Sequence, residues 1–268
     1  MAAALSFFGR TVLVGPRGSG RGSLTVTSRG FIRGEAPVNR AEFGDRLKGD
    51  VSVIAVKAHH LAGMAREVAA ATQGPCIVVC NGMGLEEQWG PSWKEGVEPA
   101  VLTAGFLLQE PGLVDTFSGT VTVQRDSRAR EVFSEGSIPL LVTDDMEAVR
   151  WSKWLVNSII NPVGALTGLR NDELLPAGLG GLVDTLWDEL VRIMPGSVRS
   201  RALPSAEKML TRLLKGSSNE CSMLQDMKAG RRTEIDFLTG LHSEKLPRDG
   251  AASLLVQLIR AKASPASV

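Results

Sequence analysis

The sequence predicts an α/β protein, with a domain of alternating strands and helices over residues 1–143 and an all-helical domain over residues 144–268. Three observations lead to this prediction. Short apolar runs of strand length recur through the first half, with helical patterns between them. The second half carries its apolar residues at helical spacing. The chain of 268 residues is also long enough to bury a sizeable core.

The first half is expected to fold as a mainly parallel sheet with crossover helices. A strand, a helix and a second strand in alternation are the repeat unit of such a sheet. One helix is predicted between the second and third strands, at residues 60–71. The predicted strands cover residues 11–14, 51–56, 76–80, 119–123 and 138–142.

The second half changes character after Asp144 and Asp145, either of which can cap a helix N-terminus. The first helix is predicted over residues 145–169 and contains Pro162, where a helix can bend. Further helices are predicted at residues 182–194, 206–214, 222–228, 233–241 and 251–261.

The composition excludes several classes of protein. A net charge of +1 and the lack of a basic stripe mean that no nucleic-acid partner is expected. No apolar run approaches the roughly 18 residues of a membrane span, so no membrane partner is expected either. Cys76, Cys80 and Cys221 show no CxxC spacing and the histidines show no ligand pattern, so neither a disulfide framework nor a metal site is expected.

The sequence leaves two cellular locations open. The cysteines favour a reducing compartment, which points to the cytoplasm. Residues 1–34 contain several arginines and no acidic residue, a composition also found in mitochondrial transit peptides. A coding bias toward arginine, glycine and alanine explains the same composition.

Lys153, Asn157 and Asn161 are the most informative polar residues of the second half. They recur at intervals of four, and each such step drifts only about 40° around a helix, so they share one face. Their neighbours are apolar, which is typical of a buried helix. Buried polar groups need polar partners, which a bound polar small molecule would supply. A solvated face, or amides that cap neighbouring loops, is the alternative, and the spacing does not decide between them.

Two further pairs of polar residues stand in short motifs. Ser222 opens Ser-Met-Leu-Gln-Asp, and Glu234 lies in Thr-Glu-Ile-Asp-Phe, where a carboxylate in the first turn of a helix is also explained by the helix dipole. Lys57 and Asn81 each follow a predicted strand, and open α/β sheets bind ligands at the carboxyl ends of strands. A plain Asn-Gly turn and a solvated lysine would explain the second pair equally well.

Taken together, these motifs resemble those of the ketopantoate reductase (2-dehydropantoate 2-reductase) family. The resemblance rests on Val-Lys-Ala at 56–58, Asn-Gly-Met-Gly at 81–84, Lys-x-x-x-Asn-x-x-x-Asn-Pro at 153–162, and the two motifs that contain Ser222 and Glu234, in this order. It covers roughly residues 11–240. It implies an NADP-binding, Rossmann-like first domain, a helical substrate and dimerisation domain, and the reduction of 2-dehydropantoate to pantoate by NADPH, in the synthesis of pantothenate and coenzyme A.

The resemblance also implies roles for the residues of the helical half. Lys153 would be the general acid that protonates the developing alkoxide, and Glu234 would orient Lys153. Asn157, Asn161 and Ser222 would hold the hydroxyl and the carboxylate of the 2-keto acid.

The cofactor end of the resemblance is incomplete. Lys57 and Asn81 would line the nicotinamide and ribose, and Arg17 would recognise the 2′-phosphate of NADPH. The family opens with a strand and a G-x-G-x-x-G turn that binds the pyrophosphate, and this sequence has no such turn. Counted back from Lys57, residues 11–14 look like the family's second strand, so the first strand and glycine-rich loop are expected to be missing. Cofactor affinity is then expected to be low.

Two other functions remain compatible with the sequence. One is a non-catalytic or truncated relative, a binding or dimerisation protein that kept the substrate cleft and lost the cofactor site. The other is a reductase of a different branched 2-keto acid. Exposed tryptophans in the second half would suit a homodimer.

Overall fold

The structure, a computed structural model, describes residues 12–15, 20–42, 45, 48–91, 96–134 and 138–263. These residues divide into two compact units. The first unit comprises the described residues up to Val56, together with His60–Val79 and Trp89–Met146. The second unit comprises Lys57–His59, Cys80–Gln88 and the described chain from Glu147 onward.

The described strands all lie in the first unit. They are β1 (Val12–Gly15), β2 (Gly22–Gly30), β3 (Gly34–Glu42), β4 (Ser52–Ile54), β5 (Cys76–Val78), β6 (Val97–Pro99), β7 (Val101–Leu102), β8 (Gly105–Glu110), β9 (Leu113–Phe117), β10 (Val121–Gln124) and β11 (Leu140–Thr143). They form one five-stranded sheet in the order β1-β3-β2-β9-β8 and two three-stranded sheets, β4-β5-β6 and β11-β10-β7.

The five predicted strands are confirmed as β1, β4, β5, β10 and β11, and the predicted helix is α1 (Leu61–Ala71). The predicted parallel pairing is found in five of the eight described strand pairings, whereas β2 pairs antiparallel with β3, β8 with β9, and β7 with β10. In β2 and β3 the buried Val26, Ala36 and Val38 alternate with more accessible residues. Such alternation is typical of antiparallel strands with one solvated face, and it leaves no apolar run to detect.

The parallel strands β4 and β5 position two of the candidate residues. Ser52 pairs with Cys76, and Ile54 pairs with Val78. The carboxyl ends of these neighbouring strands therefore lie at the same edge of their sheet. The chain continues from that edge into Lys57 after β4 and into Asn81 after β5.

The described chain after β11 is helical, which confirms the α/β class with an all-helical second half. No described helix is both long and apolar enough to cross a membrane. After α1 the α-helices are α2 (Leu85–Trp89), α3 (Ala129–Ser134), α4 (Met146–Thr167), α5 (Gly180–Ile193), α6 (Gly196–Gly216), α7 (Ser222–Lys228) and α8 (Ala251–Ala263). Short 3-10 helices lie at Ala58–His60, Asn171–Glu173, Ile235–Phe237 and Thr239–Lys245.

Two helix predictions differ from the structure. The α-helix predicted at 233–241 is replaced by two 3-10 helices, because the backbone of Leu238 leaves the helical region between them (φ −111°, ψ −121°). The helix predicted at 206–214 begins earlier, at Gly196. Small alanines on its buried face concealed the helical period, since that face is formed by Val198, Ala202, Ala206, Leu210 and Leu214.

The core of the second unit forms around α4, which is apolar on nearly all sides. Leu155 and Ile159 are fully buried there, and Trp154 is 1% exposed. The indole N–H of Trp154 donates a hydrogen bond to the carbonyl of Leu238 at 3.2 Å. Trp151 and Trp154 are both buried, so the expectation that exposed tryptophans provide a dimer surface is wrong for these two.

Candidate active site

Helix α4 carries Lys153, Asn157 and Asn161 on one face. Lys153 and Asn157 are half-buried, and Asn161 is 5% exposed. The ammonium group of Lys153 donates a hydrogen bond to Oδ1 of Asn81 at 2.6 Å. Helix α4 therefore joins its lysine to the asparagine that follows β5.

The Asn81-Gly82-Met83-Gly84 turn is fixed by close packing against Phe237. The amide N–H of Met83 donates to the carbonyl of Phe237 at 3.0 Å. Gly82 adopts φ +92°, and a Cβ atom there would lie 2.6 Å from the Phe237 carbonyl oxygen. Only glycine combines this backbone conformation with this approach, so Gly82 sets the position of Asn81.

We expect Gly82→Ala to lower the free energy of unfolding by about 2–4 kcal/mol, because strain at positive φ adds to the collision with Phe237. Urea unfolding curves would measure the loss. Gly90→Ala is the matched control, since Gly90 has φ +93° and nothing within 4 Å of an added Cβ. Equal losses in the two variants would contradict the role given to the Phe237 contact.

Glu234 lies at the centre of a buried hydrogen-bond network. It is 3% exposed and directly precedes the 3-10 helix Ile235–Phe237. Its Oε1 atom accepts the backbone N–H of Ala58 at 2.9 Å, and its Oε2 atom accepts Nδ2 of Asn81 at 3.3 Å. Asn81 thus bridges Glu234 and Lys153, accepting from the ammonium group while it donates to the carboxylate.

Lys57 stands between two buried carboxylates. Its Nζ atom lies 2.5 Å from Oδ2 of Asp226 and 3.6 Å from Oε2 of Glu234. Its side chain is 31% exposed, whereas those of Asp226 and Glu234 are 2% and 4% exposed. Lys57 therefore compensates part of the charge of both carboxylates.

Burial changes the acid–base behaviour of Lys153. Removal of its ammonium group from water lowers the pKa of Lys153 from 10.5 to about 8, while the nearby carboxylate of Glu234 and the thiol of Cys80 oppose that decrease. A lysine with a pKa near 8 can release its proton close to neutral pH. Such a group is suited to general acid catalysis.

Ser222 is the first residue of α7, and Cys221 fixes the start of that helix. The Sγ atom of Cys221 accepts the N–H of Leu224 at 3.4 Å, and the same thiol lies 3.4 Å from the carbonyl of Asn161, to which it donates. Burial of this thiol raises the pKa of Cys221 to about 11 and keeps it protonated. The Cys221 thiol therefore ties the start of α7 to α4.

The side chains of Asn157, Asn161 and Ser222 form no hydrogen bond with another described residue. Ser222 and Asn157 are half-buried, so their polar atoms are partly withdrawn from water without a protein partner. Partly buried polar groups of this kind retain hydrogen-bonding capacity for a polar ligand.

The structure therefore brings Lys57, Asn81, Lys153 and Glu234 into one network. Arg17 lies outside the described residues. The sequence interpretation gave no role to Asp226, although it stands four residues after Ser222 in the same motif. Across the described ranges, no three His, Cys, Asp or Glu side chains are placed to hold a metal ion.

Comparison with protein families and sequences gives two findings. The family model described as the C-terminal domain of ketopantoate reductase PanE/ApbA matches residues 145–244. A 2-dehydropantoate 2-reductase of Pyrococcus horikoshii is 30% identical over 173 residues, which are 60% of this chain and 56% of the relative. The match thus spans less than two thirds of that relative's length.

Comparison with solved structures shows the same fold. A dimeric ketopantoate reductase from Staphylococcus aureus superimposes with a TM-score of 0.79 at 17% identity, covering 97% of this chain and 93% of that one. A ternary structure of D-mandelate dehydrogenase with NADH and anilino(oxo)acetate gives a TM-score of 0.78 at 20% identity, covering 98% and 93% of the two chains.

Proposed function

We propose that the chain is a member of the ketopantoate reductase family and reduces 2-dehydropantoate to pantoate with NADPH, in keeping with its match to the family's C-terminal domain and its similarity to a curated 2-dehydropantoate 2-reductase. One observation carries the proposal. A lysine of lowered pKa is held by an asparagine that is itself held by a buried carboxylate. Beside it, three polar side chains are left without partners among the described residues.

Lys153 is the proposed proton donor. Reduction of the keto group places negative charge on its oxygen, and the Lys153 ammonium gives that oxygen a proton to form the product hydroxyl. Its positive charge also stabilises the oxygen as the charge develops. Glu234 keeps the ammonium group charged and, through Asn81, in place.

Asn157, Asn161 and Ser222 are proposed to bind the substrate. Their amide and hydroxyl groups match a hydroxyl and a carboxylate in hydrogen-bonding capacity. A substrate that lacked its hydroxyl would leave some of these withdrawn polar groups unpaired, which provides selectivity. The partner of the site is accordingly a small branched 2-keto acid.

A nicotinamide cofactor would supply the hydride when bound. The residues fit its reacting end, because Asn81 and the partly exposed Lys57 are polar and lie within the network of Lys153. The sequence offers no G-x-G-x-x-G turn for the pyrophosphate, and Arg17, the proposed 2′-phosphate ligand, lies outside the described residues. Calorimetric titration with NADPH and with NADH would show whether either cofactor binds and which of the two binds more tightly.

The pH dependence of turnover would test the proposal. The neutral amine of Lys153 has no proton to give, so we expect the rate of reduction to fall as pH rises through about 8. Loss of nicotinamide absorbance, followed with 2-dehydropantoate and with other branched 2-keto acids, would measure it. A rate that stays level to pH 10 would remove Lys153 from the role of proton donor.

A second candidate is a relative that binds the 2-keto acid without reducing it. The side chains of Asn157, Asn161 and Ser222 favour it, because they form no hydrogen bond with another described residue and could bind a 2-keto acid whether or not a cofactor binds. Binding of 2-dehydropantoate without any binding of NADPH or NADH would support this candidate.

Two further expectations belong to the proposal. A homodimer is expected, since the similar Staphylococcus aureus protein is dimeric. A cytoplasmic location is expected, since the three cysteines carry free thiols.

A further inference from the structure

Asp226 is a buried carboxylate for which the proposed reaction has no role. It lies on α7 and is 2% exposed. Its Oδ2 atom contacts Nζ of Lys57 at 2.5 Å, and its Oδ1 atom accepts Nε of Arg231 at 3.0 Å. Burial of a carboxylate costs free energy, which only its charged partners can offset. Here those partners are Lys57 and Arg231.

A continuous set of contacts connects Asp226 to Lys153. Asp226 holds Lys57, Lys57 lies 3.6 Å from Glu234, and Glu234 accepts from Asn81, which accepts from Lys153. The set alternates between positive and negative groups except at Asn81, which is neutral. A change of charge at Asp226 can therefore alter the electrostatic environment of Lys153.

Lys57 lies within ion-pair distance of two carboxylates, those of Asp226 and Glu234. Coulomb attraction decreases with distance, so the contact with Asp226 at 2.5 Å outweighs the one with Glu234 at 3.6 Å. Without the charge of Asp226, Glu234 would be the one described carboxylate within ion-pair distance of Lys57. Lys57 would then move toward Glu234 and neutralise the charge that faces Asn81 and Lys153.

We propose that Asp226 is a positioning residue for the reduction, which acts by holding Lys57 away from Glu234 so that the Glu234 carboxylate remains directed at Asn81 and Lys153. The inference rests on the proposed function. Asp226 itself has no contact with Lys153.

Few ionisable groups lie near Lys153 and Lys57 among the described residues, and they determine how a substitution of Asp226 can affect Lys153. Lys153 faces Glu234 from the segment before the 3-10 helix and Cys80 from the segment after β5. Lys57 faces Asp226 from α7 and the same Glu234. Neutralising Asp226 should therefore reach Lys153 only through Lys57 and Glu234.

The test is a direct titration of Lys153 by NMR of lysine labelled with ¹³C at Cε, with the Lys153 signal assigned from its loss in Lys153→Met. We expect Asp226→Asn to lower the pKa of Lys153 by at least about half a unit, because Lys57 would then pair with Glu234, the carboxylate that otherwise stabilises the Lys153 ammonium group. Asp226→Glu should restore the wild-type value. The titration needs neither substrate nor cofactor, so the absence of turnover would count against the proposed function and not against this inference.

Two further variants make the route of the effect testable. In a Lys57→Gln background, Asp226→Asn should leave the pKa of Lys153 unchanged, because the lysine that would move toward Glu234 is absent. Lys57→Gln alone should raise the pKa of Lys153, which gives a result even where Asp226→Asn does not fold. Glu220→Gln is the matched control. Glu220 lies just before α7 and pairs with Lys228 at 2.5 Å on a solvent-accessible surface, so its replacement should leave the pKa of Lys153 unchanged.

The proposal is overturned by any of three results. The Lys153 titration could be the same in folded Asp226→Asn as in the wild type. The shift could persist without Lys57. Lys57→Gln could leave the pKa of Lys153 unchanged or lower.

Discussion

Replacing Lys153 by methionine should lower kcat for 2-keto acid reduction by at least about 10³-fold, because the substrate oxygen loses both its proton donor and the adjacent positive charge. Methionine has nearly the length of the lysine stem and keeps the helix surface apolar. The protein should therefore remain folded. Steady-state rates at pH 7 in the wild type and the variant would measure the effect, and retained turnover would contradict the assignment.

The same substitution should stabilise the protein. The pKa of Lys153 is lowered from 10.5 to about 8, so the folded state holds the charged form less favourably than water does, by roughly 1.4 kcal/mol for each unit. Since the side chain is only half-buried, we expect Lys153→Met to raise the free energy of unfolding at pH 7 by about 1–3 kcal/mol. Lys228→Met at an exposed position should change it by less than about 0.5 kcal/mol.

The pH dependence of that gain has a definite sign. Between pH 8 and pH 10.5 the unfolded state binds more protons at Lys153 than the folded state does, so the wild type becomes more stable as pH rises. The advantage of Lys153→Met should therefore be complete below pH 8 and disappear toward pH 10.5. An advantage that is independent of pH would show that desolvation of the ammonium group is not its cause.

Glu234→Gln should lower kcat/KM by about 10²-fold and reduce the free energy of unfolding by about 2–3 kcal/mol. The carboxylate accepts two N–H donors and faces Lys57. A glutamine retains one acceptor oxygen, so its amide group meets either Ala58 or Asn81 donor to donor. Loss of the negative charge also lowers the pKa of Lys153 further, so the decline in rate should begin at a lower pH.

Rates across pH 6–10 and urea unfolding of the same samples would measure both effects. Asp236→Asn is the control, because Asp236 stands two residues away as a half-exposed carboxylate that pairs with Arg260 on the surface. Its pH profile should follow the wild type. A Glu234→Gln enzyme with an unshifted profile would refute the electrostatic role of Glu234.

The helices were the most predictable part of the fold. α4 was predicted from its capping residues and helical pattern, and the observed bounds of α4 and α7 differ from the prediction by at most two residues. The hairpin of β2 and β3 was missed because its polar faces interrupt any apolar run. The helix predicted around Glu234 was wrong because the backbone at Leu238 departs from helical geometry, for which a pattern of side chains carries no signal.

The candidate site was predictable only in its members. The resemblance of the motifs to the ketopantoate reductase family singled out Lys57, Asn81, Lys153 and Glu234, but it did not show that Asn81 bridges Lys153 and Glu234. Asp226 was passed over because its partner Lys57 lies 169 residues away along the chain. Local periodicity carries no information about such a pair, and only folding brings the two charges together.

The membership of Lys57–His59 and Cys80–Gln88 in the second unit has a consequence for synthesis of the protein. The Ala58 amide meets the Glu234 carboxylate across 176 residues, and Asn81 meets it across 153. Both segments leave the ribosome long before their partner is made, and closing such long loops is slow. The strands can pair and α4 can form while the network is still incomplete. Assembly of this network should thus be among the last events in the folding of the second unit, since it cannot be completed before Glu234 has left the ribosome.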